Sequence, residues 1–179
     1  MFQIAKLTAQ FRAESGNLRC TYSIANRHAH PIFVVNVALD VRSDGVHIHE
    51  RPIVEYRRGS VVLSSALAAP KRDTSYTAPP KSYARLLEPK QVWHGNFSLK
   101  LPLVPYNWIQ PQNTQEMHEI ECRNIIYITG VIPQESVSSA VCQSIAGTAL
   151  WRLPSDAYMH QKLVELKAVV EGVSVLTRT

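Results

Sequence analysis

The stretch "NLRCTYSIANRHAHPIFVVNVALDV", Asn17 to Val41, decides the fold class. Its first part alternates Leu18, Cys20, Tyr22 and Ile24 with Asn17, Arg19, Thr21 and Ser23. Successive side chains of a strand point to opposite faces, so this period of two predicts a strand with one face buried. The second part, "PIFVVNVALDV", is rich in Val, Ile and Phe and predicts a more fully buried strand. Between them "NRHAHP" offers Asn26 as a turn former and Pro31 at the strand entrance. Residues 18–41 are therefore expected to form an antiparallel pair.

The same period runs outward from this pair. "FQIAKLTAQFRAE" alternates and predicts the first strand. "SDG" at 43–45 is a tight-turn signal, and "VHIHERPIVEY" returns as a weaker strand interrupted by Pro52. "RRGSVVLSSAL" predicts another strand after Gly59, and "YARLLEPKQVWHGNFSLKLPLVP" reads as strand, turn and strand with the turn at "EPKQ". "CRNIIYITGVIP" is the strongest strand signal, and "QESVSSAVCQSIAGTALWRLP" is expected to continue into a strand ending near Trp151. In the tail, helical and alternating spacings compete. A short helical turn at 155–161 followed by a strand is the reading adopted, with Ser155 as N-cap. Two long connections, 67–82 and 105–121, break the pattern, the first with three prolines. The expected fold is a single domain over 1–179, an all-β antiparallel sandwich of about eight or nine strands with at most one or two short helical turns.

Composition narrows the function classes. With 45% hydrophobic and 18% charged residues in 179, the chain has the apolar mass for one core. The longest apolar run, "IIYI" at 125–128, is far too short to span a bilayer as a helix. The N-terminus has no basic and apolar regions of a secretory signal, so a cytoplasmic location and no membrane partner are expected. Three scattered cysteines, Cys20, Cys122 and Cys142, without a C-x-x-C fit reduced thiols. Charge is uneven: residues 51–100 hold nine Lys or Arg against three Asp or Glu, within a chain of net charge +5.

Four of the seven histidines form two H-x-H pairs, His28 with His30 and His47 with His49. On a strand such a pair shares a face, and two imidazoles can chelate zinc, copper or nickel, with Glu50 or Glu55 as an oxygen ligand. "GVHIHERPIVEYRRG" resembles the first cupin motif in its residue types, but its spacings depart from that motif and no second motif with a third histidine follows. Polar strand positions are the simpler reading, and no cofactor is implied. Neither a G-x-S-x-G elbow nor a phosphate-binding glycine loop occurs. A non-enzymatic chain is the expectation.

Two binding surfaces are suggested. The proline arm, with Lys71, Arg72, Tyr76, Lys81 and Tyr83, has the composition of an extended segment that docks on a protein partner or on a second copy. Arg51, Tyr56, Arg57, Arg58 and Arg85 mix cations with an aromatic, as anion or single-stranded nucleic-acid binders do. Trp93, Trp108 and Trp151 read as packing residues.

The segments "LRCTYSIANRHAHPIFVV" and "RLLEPKQVWHGNFSLKLPL" resemble the strand pairs of small bacterial immunoglobulin-like sandwich domains. In those a strand ends in Asn, turns and returns as an aliphatic strand, and a later turn leads into a long strand. Here that turn is "LEPKQ", with Lys90 where glycine is usual. The resemblance implies a fold and no activity. It also departs from antibody domains: no Trp falls in "PIFVVNVALDV", and Ile120 stands two residues before Cys122 where a corner Tyr would, so no core disulfide of that type is expected. The leading expectation is a protein-interaction or structural module. Nucleic-acid or anion binding is the alternative, and a metal protein built on the histidine pairs is third.

Overall fold

The computed structural model describes residues 4–68, 81–106 and 117–178. Among these residues there are fourteen strands. They are β1 (Ala5–Glu14), β2 (Asn17–Asn26), β3 (Ile32–Arg42), β4 (Gly45–His49), β5 (Ile53–Arg57), β6 (Ser60–Ser65) and β7 (Ser82–Leu87). There follow β8 (Val92–Lys100), β9 (Met117–Glu121), β10 (Asn124–Pro133), β11 (Val141–Ile145), β12 (Thr148–Leu153), β13 (Lys162–Val169) and β14 (Ser174–Arg178). A three-stranded sheet has the order β1-β2-β8. A nine-stranded sheet follows the path β11-β12-β7-β3-β10-β6-β5, with β13 on β10 and β4 on β3, and β14 pairs β9. The chain is all-β and not a closed barrel, consistent with the expected sandwich. No helix among the described residues is long and apolar enough to cross a membrane.

The alternating segments became strands where they were expected, but their pairing differs. β2 and β3 do not pair. β2 joins β1 and β8, whereas β3 joins β10, β7 and β4. The bend "NRHAHP" is thus a corner between two sheets. The buried Asn26 makes it: its Nδ2 donates to the carbonyls of His30 and Leu87, both at 3.0 Å, and its Oδ1 accepts the His28 amide at 2.8 Å. "EPKQ" is a second corner, from β7 in the large sheet to β8 in the small one. Lys90 sits there at φ 68°, the conformation that favours glycine, and the Asn26 amide donates to Gln91 O at 2.9 Å. The two corners are strapped together by Asn26.

Burial explains why the sequence changes character between β2 and β3. The large core cluster lies against both sheets and takes Leu18, Cys20 and Ile24 from β2, Ile32 and Val34 from β3, and Ile125 and Tyr127 from β10. Phe11, Tyr22, Phe97 and Tyr127 meet at its centre, with Tyr22 and Tyr127 edge to face at 5.4 Å. A smaller cluster takes the intervening residues of β3, Phe33 and Val35, with Ile132, Val137, Leu153 and Ala157. β3 is covered on both faces, so it reads as an aliphatic run rather than an alternation.

Other details depart from the expectation. Strands number fourteen rather than eight or nine, and β6 runs parallel to β10. The weak strand 46–56 is two strands, because Pro52 separates β4, paired with β3, from β5, paired with β6. Residues 141–153 form a hairpin, since Ala146 and Gly147 both take positive φ between β11 and β12. The connection 105–121 contains β9 at its end. The tail matches its reading in part: a 3-10 turn at Ala157–His160 is followed by β13, but the N-cap is Asp156, without a side-chain cap bond, rather than Ser155, and a further strand, β14, follows.

Candidate functional site

Glu50 follows β4 directly, and three strands, β2, β7 and β8, bring a donor to it. Tyr22 on β2 donates its hydroxyl to Glu50 Oε2 at 2.7 Å. Arg85 Nη2 on β7 and Trp93 Nε1 on β8 both donate to Oε1 at 3.1 Å. Asn36 Nδ2 on β3 donates to the Tyr22 hydroxyl at 3.0 Å, extending the chain inward. The Arg85 guanidinium also lies over the Trp93 ring, 4.0 Å from its centre, so stacking and ion pairing fix its plane together. The side chains of Arg85 and Glu50 are only 13% and 12% exposed, the most enclosed ion pair among the described residues.

Two backbone features make room for this network. β3 carries an extra residue between Val34 and Val37 relative to β7, a bulge beside Asn36. Gly95 on β8 lies under the carboxylate. A Cβ there would come within 2.2 Å of Glu50 Oε2 and 2.4 Å of the Tyr22 ring. Burial, with smaller contributions from Tyr127 and Glu50, raises the Tyr22 hydroxyl above its ordinary range, so it stays a proton donor to Glu50. Three donors occupy most of the four or so acceptor positions of the Glu50 carboxylate. Two polar atoms, Asn36 Oδ1 and Arg85 Nε, are buried without a partner among the described residues.

The network floors a cleft of about 380 Å³. One wall is residues 48–51, and the other is β8 from Trp93 to Ser98. Arg51, His49 and His94 line it together with Arg85. Its volume falls within the range of small-ligand clefts, roughly 300–1,000 Å³. Burial first, and then the charge of Arg51, hold His49 below the ordinary histidine range, and its Nδ1 accepts the Arg51 amide at 3.3 Å.

The sequence-derived sets are dispersed. His28 and His30 sit on the corner before β3, with ring centres 5.5 Å apart and His28 Nδ1 4.0 Å from Glu135. His49 faces Ala38 further along β3, so the two pairs stand about 20 Å apart by strand rise. His47 is bonded to Asp44 at 2.8 Å. Among the described residues no three His, Cys, Asp or Glu are grouped to hold a metal. Of the nucleic-acid set, Arg57 pairs with Glu55, Tyr56 packs on the core, and Arg58 is exposed at the β5–β6 turn. Arg85 is separated from them by β3, β10 and β6 and is committed to Glu50; only Arg51 joins it in the cleft. Of the arm set, Lys71, Arg72 and Tyr76 lie outside the described residues, Lys81 is exposed and Tyr83 is half-buried on β7.

The sequence presents Glu50 only as a ligand beside the histidines, Arg85 only within an anion- or nucleic-acid-binding set and Trp93 only as packing. One signal was present: glycine inside the alternating strand "VWHGNFSLK" marks a close approach. What approaches it is Tyr22 on the neighbouring β2 and the Glu50 carboxylate, which comes from the connection after β4, 45 positions earlier in the chain. No family model matches the sequence, and no curated protein or solved structure matches it significantly.

Proposed function

We propose that this chain is a non-enzymatic, immunoglobulin-like interaction module whose contact with a protein partner centres on the Glu50–Arg85 cleft. The observation that carries the reading is the enclosed ion pair with its three donors at the cleft floor. A carboxylate so fully engaged holds the shape of the cleft floor. Two buried polar atoms left without partners cost stability, of order 1–3 kcal/mol each, which a purely architectural brace gains nothing by accepting. In this reading the proline arm, whose residues 69–80 lie outside the described ones, is a second contact for the partner.

The test is capture from the source organism's lysate with the tagged full chain, with and without nuclease, beside an Arg51→Glu, His94→Glu variant. A stoichiometric protein that survives nuclease and is lost at least tenfold with the variant is the expected result. Retention that vanishes with nuclease would instead favour the nucleic-acid reading. A nuclease-resistant partner indifferent to the variant would remove the cleft from the contact.

A further inference from the structure

Resting on that interaction reading, we propose that the free edge of β8 takes an extended acidic segment of a partner protein as a fourth strand of the β1-β2-β8 sheet. β8 pairs β2 without a break from Asn17↔Lys100 to Ala25↔Val92. Among the described residues no other strand pairs its second edge. An edge strand presents unpaired amides and carbonyls, and proteins usually blunt it with Lys, Pro or a bulge. Between Trp93 and Ser98 β8 has none of these.

Residues 93–98 of this strand also line the cleft, which brings residues 48–51 and Arg85 close to the same stretch. Strand addition supplies affinity through main-chain bonds, and alternate side chains of the added strand read the walls. The walls select by charge. Glu50 is paired with Arg85, which leaves Arg51 as the cleft's unpaired charge among the described residues, and His94 lines the cleft as well. Asp or Glu at alternate positions of the incoming segment complements Arg51, whereas Lys or Arg there is repelled.

Selection of random octapeptides displayed on phage against the immobilised full chain tests this, followed by amide chemical-shift mapping with synthetic versions of the selected peptides. The expected outcome is enrichment of Asp and Glu, shifts concentrated on residues 93–98, and binding at least tenfold weaker after N-methylation of alternate peptide amides. Arg51→Glu should weaken the acidic peptide at least tenfold and bind a lysine-swapped version better, which separates charge reading from misfolding. Neutral or basic winners, indifference to N-methylation, shifts that miss β8, or no selectable peptide would each overturn strand addition by an acidic segment. The broader reading is judged separately: a captured partner released by the cleft variant, together with failed octapeptides, leaves the module standing and removes only this mode of contact.

Discussion

Glu50 and Arg85 stand 35 positions apart in the chain, yet Arg85 Nη2 lies 3.1 Å from Glu50 Oε1 with both side chains almost covered. Neither residue has an alternative partner of opposite charge among the described contacts. Removing one therefore strands the other in a poorly solvated place, and that asymmetry governs the mutational behaviour of the site.

Glu50→Ala should destabilise the fold by about 3 kcal/mol, the scale for breaking an enclosed pair from one side. Glu50→Gln should cost less, because the amide oxygen still accepts from Arg85 or Trp93. The Glu50→Ala, Arg85→Met double variant should be more stable than the sum of the singles. Urea unfolding of the four proteins in a double-mutant cycle checks this, and additive costs would deny the coupling.

Gly95→Ala should be more harmful than Gly147→Ala. At Gly95 the new methyl meets Glu50 Oε2 and the buried Tyr22 ring, whereas at Gly147 it meets open space and only the φ of +76° opposes it. Costs of about 2–3 kcal/mol and about 1 kcal/mol are expected from overpacking and backbone conformation respectively. Thermal unfolding would read the difference, and Trp93 emission should change only in Gly95→Ala.

Asn26→Ala should lower stability by about 2–3 kcal/mol, because two donors and one acceptor leave a buried corner together. For a chain of this size that corresponds to a drop in Tm of several degrees. Faster amide exchange at His28 would place the damage at the corner.

The three cysteines should separate by reactivity. Burial pushes the Cys20 thiol up to about 12, and Cys122 is buried with Sγ directed at the carbonyls of Gly59 and Asn124, while Cys142 is exposed on β11. Thiolate is the reactive form, so one equivalent should react quickly with Ellman's reagent in the native protein and three after denaturation. Cys142→Ser should abolish the fast phase.

His49 predicts a pH dependence. Its folded-state value is lowered below the ordinary 6.5. The unfolded chain therefore takes up a proton first as pH falls, and stability declines from about 6.5 until the lowered value is passed. The ring is only partly covered, so the effect is modest. Comparing unfolding midpoints from pH 7.5 to 5.5 in wild type and His49→Gln should show a shallower decline in the variant.

Much of the architecture was legible because strand formation in this chain is a local matter. The alternation in Leu18, Cys20, Tyr22 and Ile24 reports one covered face, and the run at Ile32–Val35 reports two; both depend on the period of side chains along one strand. Pairing depends on what lies beside the strand, and that is not encoded in its own period. The bend at Asn26 shows the limit. A short polar break with a turn former is compatible with a hairpin or with a corner. The choice turned on Leu87 and Gln91, whose carbonyls receive the Asn26 donors from more than sixty residues away.

The candidate site divides in the same way. The sequence by itself determined the all-β class, the strand positions and the chemistry available at Glu50, Arg85, Trp93 and Gly95. Only the tertiary structure decided that these four meet, since they come from a connection after β4 and from strands of two sheets. Local patterning is written by burial, which each strand records residue by residue. A network of hydrogen bonds and an ion pair is written by distances between strands, and those exist only once both sheets have closed over the same core.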